Sequence, residues 1–264
     1  GFKKGESYLS FLSDHIGASF FLRLDISSFF SSINQKFIKE ELSRIFVYES
    51  EGDRDSIINL ICSIVTLNGS LPQGACTSPA ISNIVMTRID QRITKYCQVF
   101  GIKYTRYADD LLFSSNTFNF QEKKWFIKKI KYILSSKGLF LNYSKIKFSN
   151  NKLILNGYII NDKEVTLSRK RLSDIRHILS FSKQNIFVYK NQGVTPFLEE
   201  INKMSLIHRD LKQYPFKTLF QFIQYLCGYR SFFISFLDEN LVASHFQKDL
   251  KKLIRKIEEL LIQF

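Results

Sequence analysis

Two adjacent aspartates, Asp109 and Asp110, are the residues of this chain with the clearest potential for chemistry. They follow residues 102–106 and precede residues 111–115, and both flanking segments have the apolar content of half-buried strands. The pair therefore falls in a tight turn, where neighbouring negative charges repel each other unless something cationic balances them. A pair of divalent metal ions is the natural partner, since carboxylate oxygens are ligands that Mg²⁺ prefers.

A third carboxylate, Asp25, occupies a similar position at the end of a predicted strand over residues 20–26. A carboxylate at the end of an apolar strand is costly unless it is paired or bound to a metal. If this strand lies beside the one that holds Asp109, the two strands would hold two metal ions suited to in-line phosphoryl transfer. The alternative for Asp25 is an ordinary strand-end or helix-capping residue.

The elements that would position these aspartates follow from hydrophobic periodicity. Ser78 is a good helix N-cap, Pro79 suits the first helical position, and Gly101 is a stop signal. Helices are predicted over 35–46, 55–65, 78–100 and 121–137, and short strands over 139–141, 145–148, 153–155 and 158–160. After about residue 166 only helical stripes follow, so we expect an α+β unit over 1–165 and an all-helical unit over 166–264.

The net charge of +14 over 264 residues indicates a polyanionic partner, because such an excess repels itself in the compact state. Nucleic acid is the leading candidate, and a merely soluble basic enzyme is the alternative. The 45% hydrophobic content excludes a disordered chain.

The sequence shows no apolar run long enough for a membrane helix and no signal-peptide pattern. The four cysteines are scattered, which favours small core residues of a reducing compartment over a zinc or disulfide framework. We therefore expect a cytoplasmic protein without a membrane partner. Because the chain begins without Met, we also expect a segment before Gly1.

Four segments resemble the motifs of reverse transcriptases in the same order. Residues 20–33 (FFLRLDISSFFSSI) resemble motif A, 71–86 (LPQGACTSPAISNIVM) motif B, 104–115 (YTRYADDLLFSS) motif C and 138–148 (GLFLNYSKIKF) motif D. The residues of these motifs are most similar to those of prokaryotic retron and antiphage-defence reverse transcriptases. The resemblance implies a right-hand polymerase palm of antiparallel sheet and helices with partial fingers, followed by a helical thumb.

The resemblance also implies the metal ligands. Asp25 and Asp109 match the ligands of two Mg²⁺ ions, with Mn²⁺ as an alternative, and Asp110 beside them is a third catalytic carboxylate and a weaker metal ligand. Ile26 would offer its backbone carbonyl to the nucleotide-bound metal.

Four further residues match positions around the incoming dNTP. Phe30, five residues after Asp25, matches the ring that collides with a ribose 2′-OH, which implies deoxynucleotide substrates. Gln73 and Gly74 would lie beside the nucleotide, and Lys145 would neutralise or protonate the leaving pyrophosphate. The alternatives are core packing for Phe30 and a plain turn for Gln73 and Gly74.

Contacts to the template and primer are predicted from position and charge. The lysines of the helix over 121–137 would contact the phosphates of a template–primer duplex, together with a second set of residues. The alternative for any one of the basic residues is a solvated basic face. That set is Tyr107, Arg169, Lys170, Arg171 and Arg176.

Two elements depart from the retron pattern. Only His15 remains of an Asn-Ala-x-x-His element, and a Val-Thr-Gly element appears as Leu155, Asn156 and Gly157. Another defence-associated group therefore stays open beside a true retron.

The function that we expect is RNA-directed DNA synthesis in a bacterial antiphage system. The enzyme would use dNTPs and a companion non-coding RNA as template or primer, and would bind the nascent DNA. Alternatives are protein-primed or template-independent DNA synthesis and a non-catalytic RNA-binding scaffold. An effector protein and a homo-oligomer are further partners that the sequence leaves open.

Overall fold

The computed structural model describes residues 7–46, 51–204, 215–237 and 244–264, together with Gly5 and Val242. The chain divides into two compact units. The first contains Gly1–Leu153 and Ile160–Lys163, and the second contains Ile154–Ile159 and Glu164–Phe264. The division lies near the predicted boundary at residue 165, although Ile154–Ile159 belong to the second unit.

The first unit is built on an antiparallel sheet of four strands in the order β2-β3-β1-β4. The strands are β1 (Phe20–Asp25), β2 (Lys103–Tyr107), β3 (Asp110–Ser115) and β4 (Lys147–Asn150). The central strand β1 pairs with β3 so that Leu24 lies opposite Leu111 and Asp25 lies opposite Asp110. Antiparallel strands combined with helices confirm the α+β class predicted from the sequence.

The two faces of this sheet have different roles. Leu24 and Leu111 belong to the hydrophobic core of the unit. Because side chains alternate along a strand, Asp25, Asp110 and Arg23 project from the opposite face. We call the face with Leu24 and Leu111 the helix-packed face, and the face with Asp25, Asp110 and Arg23 the carboxylate face.

Helices complete the described part of the first unit. They are α1 (Tyr8–Ser13), α2 (Phe29–Ser32), α3 (Gln35–Ile45), α4 (Glu51–Val65), α5 (Ser78–Gln98) and α6 (Trp125–Ser135). Buried side chains of α5 and α6 join the core on the helix-packed face.

Three predicted helix starts were wrong. Helix α4 begins at Glu51, four residues before the predicted start at residue 55. Helix α5 has Thr77 as its N-cap, and Ser78 is already helical. The hydroxyl of Ser78 donates to the carbonyl of Pro72 at 2.6 Å instead of capping the helix. Helix α6 begins at Trp125 rather than residue 121, because the Asn119 side chain accepts from the Gln121 N–H at 3.1 Å and holds a local turn there.

The segment before β4 also differs from the prediction. Residues 139–141 do not form a strand, since only Leu141 pairs, in an isolated bridge with Ile26. A 3₁₀ turn over Tyr143–Lys145 follows, in which the Asn142 side chain accepts from a backbone N–H. This turn delays β4 to Lys147 and leaves Lys145 in a loop.

The second unit is largely helical. The short strands β5 (Leu153–Leu155), β6 (Tyr158–Ile160) and β7 (Val165–Leu167) form a sheet in that order, and all of their residues except Leu153 and Ile160 belong to this unit. The helices are α7 (Arg169–Gln184), α8 (Ile186–Gln192), α9 (Val194–Met204), α10 (Leu219–Leu237) and α11 (Ser244–Leu261). No helix in the described ranges is long and apolar enough to cross a membrane.

All four cysteines are free thiols. Cys62 and Cys97 are buried, and burial raises the pKa of the Cys97 thiol to about 12. Cys76 and Cys227 are exposed, so the prediction that the cysteines are core residues was wrong for these two.

Candidate active site

The pairing of β1 with β3 brings the predicted catalytic aspartates together. Asp25 lies directly opposite Asp110 in the antiparallel register. Beyond the strand ends, the N–H of Ile26 donates to the carbonyl of Asp109 at 3.0 Å. The four predicted metal-ligand positions therefore occupy one end of one strand pair.

The turn that carries Asp109 has an unusual backbone at Ala108. Ala108 has φ +53° and is buried. A residue with a Cβ is strained in this left-handed region and persists there only when its surroundings hold it. Arg106 supplies one such constraint, because its Nη1 donates to the Ala108 carbonyl at 3.0 Å.

Arg106 also ties this turn to α5. Its Nε and Nη2 donate to the two carboxylate oxygens of Asp90 at 2.8 to 3.0 Å. The Tyr104 hydroxyl donates to the same carboxylate at 2.8 Å, and Arg106 Nη2 reaches Asn83 at 3.2 Å. We did not predict this network. The signal was available in the alternation of β2, which puts the side chains of Tyr104 and Arg106 on the helix-packed face, where a guanidinium needs an acidic partner.

Arg23 balances the charge on the carboxylate face. Its Nε donates to Asp110 Oδ1 at 2.7 Å, and its Nη2 lies 2.6 Å from the same oxygen and 3.8 Å from Asp25 Oδ2. Burial raises the pKa of Asp110, and the hydrogen bond from Arg23 opposes that rise. Sequence reasoning missed Arg23, although its position two residues before Asp25 places both side chains on one face.

Lys145 is the second cation at Asp25. Its Nζ donates to Asp25 Oδ2 at 3.0 Å, and the hydrogen bond raises the pKa of Lys145. The backbone brings the two together, because the Asn142 N–H donates to the Asp25 carbonyl at 2.8 Å. Lys145 therefore stays protonated beside a carboxylate that is only 2% exposed.

The carboxylate oxygens at this end of the strand pair suit a hard cation such as Mg²⁺ that also binds a substrate. Within the described part of the chain, no three histidine, cysteine or acidic side chains are grouped so that they could hold a metal ion. Mg²⁺ in phosphate-handling sites is usually bound by one or two carboxylates together with substrate phosphates. Asp25 and Asp109 are the two carboxylates that could hold such an ion. Asp25 is paired with Lys145, and Asp110 is paired with Arg23.

The loop that carries Gln73 and Gly74 is tied to the segment after β1. The Leu71 N–H donates to the Ile33 carbonyl at 3.1 Å. Gln73 and Gly74 are exposed, and Gly74 has φ +91°, which residues with a Cβ rarely adopt. The glycine is therefore needed for the turn itself, and its predicted contact with a nucleotide stays a prediction.

The predicted sugar gate, Phe30, is half-buried in α2. Its ring centre lies 5.2 Å from that of Phe29 in a tilted contact. Phe29 is buried and holds one side of this ring. This position leaves part of the Phe30 ring accessible, and the gate stays a prediction.

The residues predicted to contact nucleic acid belong to both units. Tyr107 belongs to the first unit and packs edge-on against Tyr8 of α1, with ring centres 5.0 Å apart. Arg169, Lys170 and Arg176 are exposed on α7 of the second unit.

Arg171 differs from its neighbours on α7 because its side chain packs within the second unit. Its guanidinium lies 4.2 Å from the ring centre of Phe232 and donates to the Asn156 carbonyl at 3.2 Å. A Cβ on Gly157 would come within 3.2 Å of the Arg171 side chain. These contacts account for the glycine at position 157 and give Arg171 a role in packing.

His15 is fully buried against the carboxylate face. Its two ring nitrogens each lie 2.7 Å from a hydroxyl oxygen, that of Ser114 on β3 and that of Thr105 on β2. Burial, with a smaller effect of Lys103, lowers the pKa of His15 to about 3. The ring is therefore neutral. It joins β2 and β3 on the same face of the sheet as Asp25 and Asp110.

Comparison with known proteins supports the identity that these motifs suggest. The family model described as reverse transcriptase (RNA-dependent DNA polymerase) matches residues 1–186. The Retron Ec86 reverse transcriptase of Escherichia coli is 32% identical over 182 residues, which is 67% of this chain and 53% of that protein. The Retron Ec83 reverse transcriptase of the same organism is 27% identical over 81% of this chain and 72% of its own length. This chain thus spans only about half of the Ec86 relative.

Among solved structures, telomerase from Candida albicans in complex with a fragment of telomeric RNA aligns with a TM-score of 0.46 and 14% identity, over 95% of this chain and 48% of that chain. A likeness of this size supports no further statement. The family match and the curated relatives confirm the predicted resemblance to retron-type prokaryotic enzymes. Since the family model covers well over half of its residues, this chain belongs to the reverse transcriptase (RNA-dependent DNA polymerase) family.

Proposed function

We propose that this protein is an RNA-directed DNA polymerase that transfers nucleotides from dNTPs at the end of the β1–β3 pair. One observation carries the proposal: the register that sets Asp25 opposite Asp110, with Asp109 bonded to the next residue of β1. Asp25 and Asp110 project there from the carboxylate face, and Asp109 lies in the adjoining turn. Membership of the reverse transcriptase family supports the same reaction.

Asp25 and Asp109 would hold two divalent ions, Mg²⁺ in our proposal, with Mn²⁺ as the alternative. Such ions, when bound, activate a hydroxyl nucleophile and stabilise the charge on a leaving pyrophosphate. Ile26 is placed to contribute its carbonyl. Asp110 acts beside them by fixing Arg23, whose guanidinium limits the repulsion between the carboxylates.

Lys145 would serve the leaving group. Its Nζ is protonated at neutral pH, as lysine ordinarily is, and the hydrogen bond to Asp25 raises its pKa further. A protonated amine near the reacting phosphates can neutralise or protonate pyrophosphate as it departs. Phe30, Gln73 and Gly74 would contact the incoming dNTP from the loops that are tied together after β1.

The template and the biological setting are inferred from the resemblance. The net charge of +14 suits an RNA template and a nascent DNA strand. The similarity of the motifs to retron and antiphage-defence enzymes supports a non-coding RNA template and a role in antiphage defence. We extend the proposal to a cytoplasmic enzyme that works with an effector protein.

The test of this function is primer extension on an RNA template with the Asp25→Ala variant. We expect it to abolish dNTP incorporation while RNA binding, measured by fluorescence anisotropy, stays close to that of the unaltered chain. Asp162→Ala is the matched control, because Asp162 is exposed and belongs to neither strand of the pair. Full incorporation by Asp25→Ala would refute the assignment.

A further inference from the structure

The outer surface of α6 and its flanking residues carries uncompensated positive charge. Residues 121–137 contain six lysines and a single glutamate. Lys124, Lys128, Lys129 and Lys131 are exposed. Among the residues that the structure describes, none of these four has a carboxylate within ion-pair distance, in contrast to Lys137, which pairs with Glu40.

Exposed aromatic rings alternate with these lysines. Trp125 is 45% exposed and Tyr132 is 63% exposed. Their spacing, with Lys128 and Lys129 between them, follows one side of the helix for about 10 Å. Lys129 Nζ lies 5.4 Å from the ring centre of Tyr132, and Trp125 is held edge-on against Phe100 with ring centres 5.3 Å apart.

This surface is separated from the catalytic aspartates by the sheet. The buried side of α6 contacts the helix-packed face, where the rings of Phe126 and Phe113 are 5.3 Å apart. Asp25 and Asp110 project from the opposite face. The α6 lysines are therefore poorly placed to track a duplex whose end lies at the aspartates, which was the role predicted from the sequence.

We propose that this α6 surface binds single-stranded RNA outside the segment that is being copied. The inference rests on the proposed function, which makes RNA a substrate of the protein. Lysines that contact phosphates, combined with rings on which bases stack, form a sequence-tolerant site for single strands. A duplex would offer phosphates but no free base faces, and an acidic protein would leave Trp125 and Tyr132 without stacking partners.

The chain contains a single tryptophan, so its fluorescence reports directly on this surface. We expect a single-stranded RNA of about 20 nucleotides to quench Trp125 fluorescence saturably, because a base stacks on the indole. An RNA–DNA hybrid of equal length should quench little. Asp25→Ala should be quenched like the unaltered chain, so a failure of the catalytic proposal and a failure of this one give different results.

Variants test the contribution of each group. RNA affinity falls as salt rises, so the slope of log affinity against log salt concentration is negative. The double variant Lys128→Ala with Lys131→Ala should make this slope shallower by about 1.4, at roughly 0.7 for each lost phosphate contact. Tyr132→Ala should weaken RNA binding by about tenfold. The double variant Lys36→Ala with Lys163→Ala removes the same charge from exposed positions elsewhere and should change neither value.

Circular dichroism and the thermal midpoint establish that each variant is folded. Three outcomes would overturn the proposal. They are RNA binding without tryptophan quenching, equal losses in the control and the α6 variants, and quenching by an acidic peptide as strong as that by RNA.

Discussion

Arg23 Nη2 lies 2.6 Å from Asp110 Oδ1 and 3.8 Å from Asp25 Oδ2, so one guanidinium bridges the carboxylates of two paired strands. Both acidic side chains are nearly buried, and the arginine side chain is 18% exposed. Like charges so close together would otherwise raise each other's pKa and oppose folding. The bridge therefore makes a dense cluster of carboxylates compatible with a buried strand pair.

Removing this guanidinium should destabilise the protein. We expect Arg23→Ala to lower the free energy of unfolding by about 3 kcal/mol, because it leaves a buried carboxylate without its partner. The deficit should shrink as the pH falls, since loss of Arg23 raises the pKa of Asp110 further and protonation then relieves the uncompensated charge. Urea unfolding at several pH values measures both effects.

Arg23→Lys is the control for charge, and it should recover part of the lost stability. It lacks the planar fork that reaches both carboxylates, so recovery should be incomplete. An Arg23→Ala protein as stable as the unaltered chain at neutral pH would contradict this view of the bridge.

The Arg106–Asp90 pair should act as a unit in holding the turn at Ala108. We expect Arg106→Ala and Asp90→Ala each to reduce the rate of dNTP incorporation, because the strained turn positions Asp109. In a double-mutant cycle on unfolding free energies, their coupling should be about 1–3 kcal/mol, as for contacting partners in one network. Strictly additive effects would show that the two side chains work independently.

His15 should make stability depend on pH below neutrality. Its pKa is lowered to about 3 by burial, below the ordinary value of 6.5. Between these two pH values the unfolded chain binds a proton at His15 that the folded chain does not. The contribution of His15 to the free energy of unfolding is therefore fully present above about pH 6.5 and is lost as the pH falls. The slope approaches about 1.4 kcal/mol per pH unit for one such group.

Denaturant unfolding between pH 7 and pH 5 measures this slope. His15→Gln retains hydrogen-bonding capacity and cannot take up the proton, so its stability should change less over that range. Parallel curves for the two proteins would exclude His15 as the cause.

Lys145 should matter for catalysis more than for stability. Its side chain is half exposed, and an ion pair of this kind contributes little to folding. We expect Lys145→Met to slow single-turnover incorporation by about a hundredfold, the scale of a lost general acid. Lys152→Met, at another exposed position, should leave the rate unchanged. A normal rate for Lys145→Met would remove Lys145 from the mechanism.

The sequence alone predicted the backbone of this site well. The apolar strand before Asp25 and the paired aspartates in a turn are local patterns, and their meeting follows from one antiparallel pairing. The structure bears out that pairing, since Asp25 lies opposite Asp110. Membership of the reverse transcriptase family was likewise visible in the motifs.

Arg23 and Arg106 were missed because their acidic partners, Asp110 and Asp90, belong to other elements of the fold. Arg23 and Arg106 belong to different strands and project to different faces, and nothing local reveals that Asp90, on α5, completes the second pair. The strand predicted over 139–141 was wrong for a similar reason, because strand formation depends on a partner elsewhere in the fold. Its apolar residues suit a strand, but of the three only Leu141 forms a β-bridge, with Ile26.

The most direct test of the account is to sequence the DNA made on a defined RNA template. The reaction would contain a DNA primer, Mg²⁺ and all four dNTPs, with the unaltered chain and the Asp109→Asn variant in parallel. We predict DNA complementary to the RNA from the unaltered chain and none from Asp109→Asn, because we propose Asp109 as a metal ligand of the centre on the β1–β3 pair. Equal synthesis by the variant, or product without complementarity to the RNA, would contradict RNA-directed DNA synthesis at this site.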